Sequence, residues 1–294
     1  MKFNGKKSGP IPNKEVFEFI SKSLSSKYLH DEKILNNFLN IYFEWIQSSK
    51  LNKLHGLKKF KSLSFVHGTT QSFDFFYAEN KNRRMRCFKG EFKYHTLSWR
   101  NNYPGWTYIE DDKIKKNDAL IISLPFSDCG TKHPEMENII KICDDLNVPV
   151  FIDCAYFSVC RNIDFDLDRP CIKGLSFSMS KAFYGTERLR IGLRCKKINN
   201  DDPVDVFTSM DMVSKISAGV GYELCKKFEP DYNQNNFREK QLKICGELKL
   251  NPSDCVIFGI TDKKNKMFYD HDRGTEWRRV CISELLGNVS IKNA

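Results

Sequence analysis

Apolar residues recur at helical spacing along residues 31–47, DEKILNNFLNIYFEWIQ, which predicts an amphipathic helix. Phe65 and Val66 read as a short strand that ends at Gly68-Thr69-Thr70, a turn opening a helix through Phe76. The run from Ala119 to Leu124, ALIISL, has no polar alternation and suits a strand buried on both faces. A helix from about Pro134 to Leu146 and a strand from Val148 to Ile152 complete a strand–helix–strand unit. Leu175 to Met179 is a further strand. After residue 196 the pattern changes to helices near 204–228 and 236–249 and short strands at 255–261 and 279–283.

These elements predict an α/β fold. A large domain with a central, mostly parallel sheet is followed by a small α+β C-terminal domain. The organisation reads as an N-terminal helical segment (1–50), a large α/β domain (51–200) and a reduced small domain (201–294). The polar stretch KKINNDDP, residues 196–203, marks the boundary.

Composition narrows the class. Hydrophobic residues make up 40% of the 294, enough for a globular core. No apolar run reaches the length of a membrane span. The N-terminus, MKFNGKKSGPIPNK, has basic clusters without an apolar stretch behind them, unlike a secretory signal. Eleven scattered cysteines form no CxxC pair, which favours a reducing cytoplasm over a disulfide framework or a zinc site. The net charge of +10 is compatible with nucleic acid or an anionic ligand. The charges are dispersed and no nucleic-acid motif appears, so the surplus reads as solvated surface, with neither nucleic acid nor membrane as partner. The six histidines match no metal-ligand spacing.

Two segments carry candidate chemistry. Asp153-Cys154-Ala155-Tyr156 puts a carboxylate and a phenol where a parallel strand ends, the edge at which open α/β sheets bind ligands. Ser178-Met179-Ser180-Lys181-Ala182-Phe183 places a lysine at another strand end among hydroxyls, with Arg188-Leu189-Arg190-Ile191-Gly192 just downstream. Burial and neighbouring cations lower a lysine pKa and make it a nucleophile near neutrality. Hydroxyls and an arginine fork supply directed donors for a phosphate.

DCAY, SMSKAF and RLRIGL, in this order and at roughly the family's spacing, resemble the fold type I pyridoxal-phosphate (PLP) enzymes, in particular class I/II aminotransferases of the histidinol-phosphate and aspartate type. The resemblance implies an aspartate-aminotransferase-like fold with pyridoxal 5′-phosphate as cofactor. It makes Lys181 the residue that holds PLP as a Schiff base and moves the proton between substrate Cα and cofactor. Asp153 would pair with the pyridine nitrogen and Tyr156 with the ring 3′ oxygen. Gly68, Thr69 and Thr70 fall at the phosphate loop, with Ser178, Ser180 and Arg190 as further cofactor ligands; Arg188 is the alternative to Arg190. Phe92 falls where an aromatic stacks on the ring, and Ser127 stands where the family carries an Asn. Arg279, in EWRRVCIS, matches the arginine that clamps the substrate carboxylate.

The resemblance also implies a homodimer with a shared active site, for which Tyr28 is the candidate residue crossing to the partner. The implied function is transamination between an amino donor and a keto acceptor. Two alternatives keep the fold: a decarboxylase, lyase or carbon–carbon bond-forming enzyme, and a degenerate non-catalytic protein. Plainer readings also stand. Gly68-Thr69-Thr70 is also what an ordinary capped turn looks like, Asp153 suits a helix cap, Phe92 suits the core and Arg279 suits an exposed strand edge.

Overall fold

The computed structural model describes residues 5–99 and 105–288. The first four residues of the basic N-terminal stretch therefore lie outside it. Seven strands form the main sheet: β1 (Ser62–His67), β2 (Arg84–Cys87), β3 (Trp106–Tyr108), β4 (Asp118–Ser123), β5 (Val150–Cys154), β6 (Ile172–Ser178) and β7 (Ile191–Lys196). Their spatial order is β1-β7-β6-β5-β4-β2-β3. The ladder is parallel from β3 through β6, whereas β7 runs antiparallel to both β6 and β1. The carboxyl ends of β1, β4, β5 and β6 consequently share one edge, which the amino end of β7 joins.

Strands β4 and β5 are buried at every position, as the unbroken apolar runs predict. Ile121, Ile122 and Ile152 have no exposed surface, so truncating one of them to Ala costs roughly 2–5 kcal/mol. Strand β2 has charges that hide it from an apolar-pattern reading. Its fully buried Arg86 donates to Asp118 Oδ2 at 2.5 Å and to the carbonyl of Tyr108 at 3.0 Å, and Arg84 Nε donates to Asp118 Oδ1 at 2.8 Å. These charges close on one another, satisfying the condition for burying them.

Helices α1 (Lys14–Ser23), α2 (Ile34–Gln47), α3 (Thr69–Glu79) and α4 (Met136–Leu146) precede the C-terminal region. There α5 (Lys215–Lys227) and α6 (Tyr232–Glu247) lead to a three-stranded antiparallel sheet of β8 (Asn251–Pro252), β9 (Phe258–Asp262) and β10 (Trp277–Cys281). The helix predicted over 204–228 is instead two pieces, Pro203–Ser209 and α5. Asp202 caps the first through the amides of Val204 and Asp205. Ser214 caps the second through Ser217, and Asp211 between them takes a left-handed φ of 59°.

The segment after residue 201 packs back on the main sheet. Arg194 and Lys196 of β7 pair with Asp202 and Asp205, both buried, and Ser64 of β1 donates to Asp205 at 2.7 Å. Helix α5 lies against the N-terminal segment, where a Cβ on Gly219 would come within 2.4 Å of the Tyr28 ring and one on Gly221 within 2.5 Å of Phe38. One hydrophobic core joins α1 and α2, the sheet and β9–β10. Among the described residues no helix is long and apolar enough to cross a membrane, and none of the eleven cysteines is in a disulfide.

Candidate active site

The shared strand edge opens into a cavity of about 400 Å³, a usual size for a small-molecule site. Its lining brings together Thr69, Thr70, Phe92, Ser127, Asp153, Tyr156, Ser180, Lys181, Arg190 and Arg279. These come from the carboxyl ends of β1, β4, β5 and β6, from the loop after β2, from the turn that leads into β7, and from β10. A wider groove of about 870 Å³ runs along residues 43–61, away from the strand edge, without a strand-end lysine or buried carboxylate.

Lys181 follows β6 by three residues and is half-buried; its Nζ donates to the Ser8 carbonyl at 2.7 Å and stands 5.7 Å from the Tyr156 ring centroid. Ser8 Oγ also lies 2.6 Å from the Tyr156 hydroxyl. The N-terminal strand of chain therefore touches both the amine and the phenol. It is fixed at its start, where Cys281 N donates to the Gly5 carbonyl at 2.7 Å.

Asp153, next to last in β5, is almost fully buried. Burial, and then repulsion by the buried Glu91, push its carboxyl up to about 7; the Ala155 amide, the Thr69 hydroxyl and the Lys181 cation oppose that rise. Burial likewise raises Glu91, which accepts from Ser123 N at 2.7 Å, Ser123 Oγ at 2.5 Å and Ser127 Oγ at 3.1 Å. The Ser127 hydroxyl is thus engaged behind the wall, and its carbonyl accepts from Arg279 Nη1 at 2.5 Å.

Thr69 and Thr70 open α3, whose first amides point toward the cavity end with the partial positive charge of a helix N-terminus. Arg190, held at a left-handed φ of 57°, donates to Thr70 Oγ1 at 2.9 Å and to the His67 carbonyl at 3.1 Å. Gly68 has φ 74° and ψ 171°, a conformation open essentially to glycine alone. A Cβ there would meet Arg190 Nη2 at 2.4 Å. Glycine lets the guanidinium close over the turn. Arg188 is exposed and does not line the cavity.

The other predicted residues divide between the cavity wall, where Phe92 stands, and the body of the chain. Ser178 lies beneath the cavity and donates to Ser180 Oγ at 2.9 Å. Phe92 is exposed rather than core, and stacks on Tyr94 with ring centroids 5.8 Å apart. Tyr28 is buried against Gly219, inside its own chain and away from the cavity. Arg278 turns to the opposite side of β10 from Arg279 and donates to the Asn265 carbonyl at 2.9 Å.

The reading from sequence did not assign Lys6, Lys7, Ser8, Lys93 and Arg273 to the site, although all line the cavity. Lys6 and Lys7 belong to a visible basic cluster, but nothing in their spacing ties them to Lys181. Arg273 sits in a loop, HDRGT, whose place in the site depends wholly on tertiary contacts: Nη2 donates to the carbonyls of Gly90 at 2.5 Å and Glu91 at 3.0 Å, and Nε lies 2.6 Å from Asp128 Oδ1.

No protein-family model and no curated protein matches the sequence. Solved structures do match the fold. The PLP-bound C–S lyase from Staphylococcus hominis is similar over 97% of this chain and 87% of its own, with a TM-score of 0.65 and 14% identity. For the histidinol-phosphate aminotransferase from Clostridium acetobutylicum the shares are 96% and 93%, with a TM-score of 0.64 and 11% identity. For the aromatic aminotransferase from Pyrococcus horikoshii they are 97% and 91%, with a TM-score of 0.62 and 12% identity. The chain therefore has, over nearly its whole length, the fold of the fold type I PLP aminotransferases and C–S lyases.

Proposed function

We propose that this chain is a PLP-dependent enzyme acting on an amino acid or related amine, with transamination as its reaction and Lys181 as the residue that binds the cofactor aldehyde. The observation that carries the reading is the convergence of three groups on one cavity: a strand-end amine, a buried carboxylate, and an anion cradle made by a helix N-terminus with an arginine. Each suits one part of PLP. Gly68 leaves no room for a Cβ, so Arg190 and the Thr69–Thr70 turn form a close-fitting seat for a phosphate. Asp153 offers a buried carboxylate to the pyridine nitrogen; a carboxyl held near 7 by burial ionises readily once a cation is placed beside it.

Bound there, PLP supplies an electron sink for charge developing at the substrate Cα. The chain's own residues do the remaining work. Lys181 stands at the mouth with its Nζ on the Ser8 carbonyl, a position from which it can carry a proton at the reacting carbon. Tyr156 and Ser8, hydroxyl to hydroxyl at 2.6 Å, provide donors toward the ring oxygen. Ser127 does not present a free hydroxyl there, because Glu91 and the Gly90 carbonyl take it. Arg279, fixed by the Ser127 carbonyl and resting 4.6 Å from the Phe258 ring centroid, presents its remaining N–H groups to a carboxylate. A homodimer and a cytoplasmic location belong to the same proposal and rest on the resemblance and the cysteine usage.

Elimination is a second reading, favoured by the likeness to a C–S lyase as much as to aminotransferases. A half-reaction separates the two. Incubating the PLP-loaded protein with amino donors and no acceptor should convert the cofactor's absorbance to that of pyridoxamine phosphate and release the keto acid. Release of pyruvate and ammonia with cofactor absorbance unchanged would replace transamination by elimination.

A further inference from the structure

The groove of about 870 Å³ lies between the last turn of α2 and a short strand, Lys53–His55. This strand pairs in parallel with Asp164–Asp166 and with no other strand. Lys53 N donates to the Ile163 carbonyl at 2.6 Å and Leu167 N to the His55 carbonyl at 2.9 Å, so the main-chain groups of Lys53 and His55 face that partner. In a parallel ladder the residue between two such positions turns its N–H and C=O the other way. Those of Leu54 therefore face away from the ladder, and among the described residues neither is hydrogen-bonded. None of residues 163–167 lines the groove, which puts it on that open side. A groove between a helix and an unpaired strand edge is the arrangement into which an extended peptide adds as a further strand.

The strand is held rigidly from behind. Asn52 is buried; its Nδ2 donates to the Cys160 carbonyl at 2.9 Å and its Oδ1 accepts from Ile163 N at 3.1 Å. Asp231 accepts from Ser49 Oγ at 2.6 Å and from Lys50 N at 2.7 Å. Gly56 turns the chain at φ 74°, where a Cβ would come within 2.7 Å of Asp168 Cβ. An edge fixed in this way loses little freedom on binding.

Charge selects the partner. Residues 50–61, KLNKLHGLKKFK, contain five lysines and no acidic residue. Lys59 pairs with Asp168 at 2.5 Å and His55 with Asp164 at 2.9 Å. Lys53, Lys58 and Lys61 line the groove, exposed, and form no ion pair among the described residues. Glu44 is the one acidic residue among the lining, whose apolar part is Phe43, Ile46, Leu54 and Leu57. A nucleic acid would meet the lysines but offer Leu54 no peptide ladder. An extended acidic peptide meets both.

We propose that this groove docks an extended acidic segment of a partner protein, which adds as a strand beside Lys53–His55 and sets its carboxylates against Lys53, Lys58 and Lys61. The proposal stands apart from the PLP reading, because the groove shares no residue with the strand-edge cavity.

Fluorescence anisotropy of the full chain with a labelled peptide of alternating glutamate and valine, about six residues long like an ordinary strand, tests it. The acidic peptide should bind, and a peptide of alternating lysine and valine should not. Lys53→Glu/Lys58→Glu, at two exposed positions, should weaken the acidic peptide about tenfold or more, since it replaces two attractions by two repulsions. The same peptide N-methylated on its amides keeps its charge and loses its donors, so it should bind about fivefold or more weaker. Equal affinity for the N-methylated peptide overturns the strand addition, and equal affinity of the charge-reversed variant overturns the assignment to this groove. An oligodeoxythymidine that binds tighter than the acidic peptide and displaces it would make the partner a nucleic acid and overturn the proposal. Failure of the acidic peptide to bind overturns it as well, leaving the lysines as guards of an open strand edge.

Discussion

Replacing Asp153 by Asn should make the cofactor-free protein more stable as pH rises, while removing its ability to serve PLP. In the folded chain burial and the Glu91 charge raise the Asp153 carboxyl from 3.8 to about 7. A folded-state pKa above the unfolded value means that the native state binds the proton more tightly. That contribution is fully present below pH 3.8 and is lost as pH rises through 7. A difference of this size corresponds to about 4 kcal/mol at about 1.36 kcal/mol per pH unit. Asn has no proton to lose and so carries no such slope. Urea unfolding of both proteins between pH 4 and 8 gives the difference directly, because groups common to both cancel. Wild type should lose about 4 kcal/mol relative to Asp153→Asn across that range. Asp153 also raises the Tyr77 hydroxyl and the Cys154 thiol, but burial already holds both well above this pH range, so neither titrates between pH 4 and 8. A stability difference that stays flat from pH 4 to 8 would refute the reasoning. Asp153 would then be solvated, or compensated by a charge that the geometry does not show. Saturating PLP should flatten the wild-type slope, since a pyridinium beside Asp153 ionises it at all these pH values.

Three further outcomes follow from the packing. Gly68→Ala forces a Cβ onto Arg190 in a backbone region that costs about 1–3 kcal/mol for a non-glycine residue, so PLP affinity by fluorescence titration should fall at least tenfold. Arg279→Lys should raise KM for an amino acid substrate by about ten- to a hundredfold with little change in PLP absorbance, whereas Arg278→Lys, which faces Asn265, should be near neutral; equal effects would place the wrong arginine in the cavity. Tyr28→Ala should cost about 3 kcal/mol or more in thermal unfolding while leaving cofactor affinity intact, because the ring fills the space over Gly219 inside its own chain.

Much of the central fold was legible in the sequence, since elements buried on both faces or amphipathic along one face declare themselves. The ALIISL run became β4 over Asp118–Ser123, and the helix expected from Pro134 became α4 over Met136–Leu146. The expected strands 148–152 and 175–179 appear as Val150–Cys154 and Ile172–Ser178, displaced by a few residues. Elements stabilised by polar closure were invisible. Arg84 and Arg86 broke the apolar pattern of β2 although Asp118 neutralises them, and Arg194 and Lys196 did the same for β7. The break at Asp211 carried a local signal, since Pro203 after Asp202 and Ser214 before Lys215 are both helix starts. At the site, residues within the two motifs could be named because strand ends converge on one edge. Lys6, Lys7, Ser8 and Arg273 could not. They reach the cavity only through contacts across more than 170 positions in the case of Ser8 with Lys181, and through Gly90 in the case of Arg273.

The most direct measurement of the central claim is borohydride reduction of the PLP-loaded protein followed by peptide mapping. The account predicts loss of the visible absorbance and a single pyridoxyl group on the peptide containing Ser180-Lys181-Ala182, absent from Lys181→Ala. A pyridoxyl group on any other lysine, or one that persists in Lys181→Ala, would contradict it.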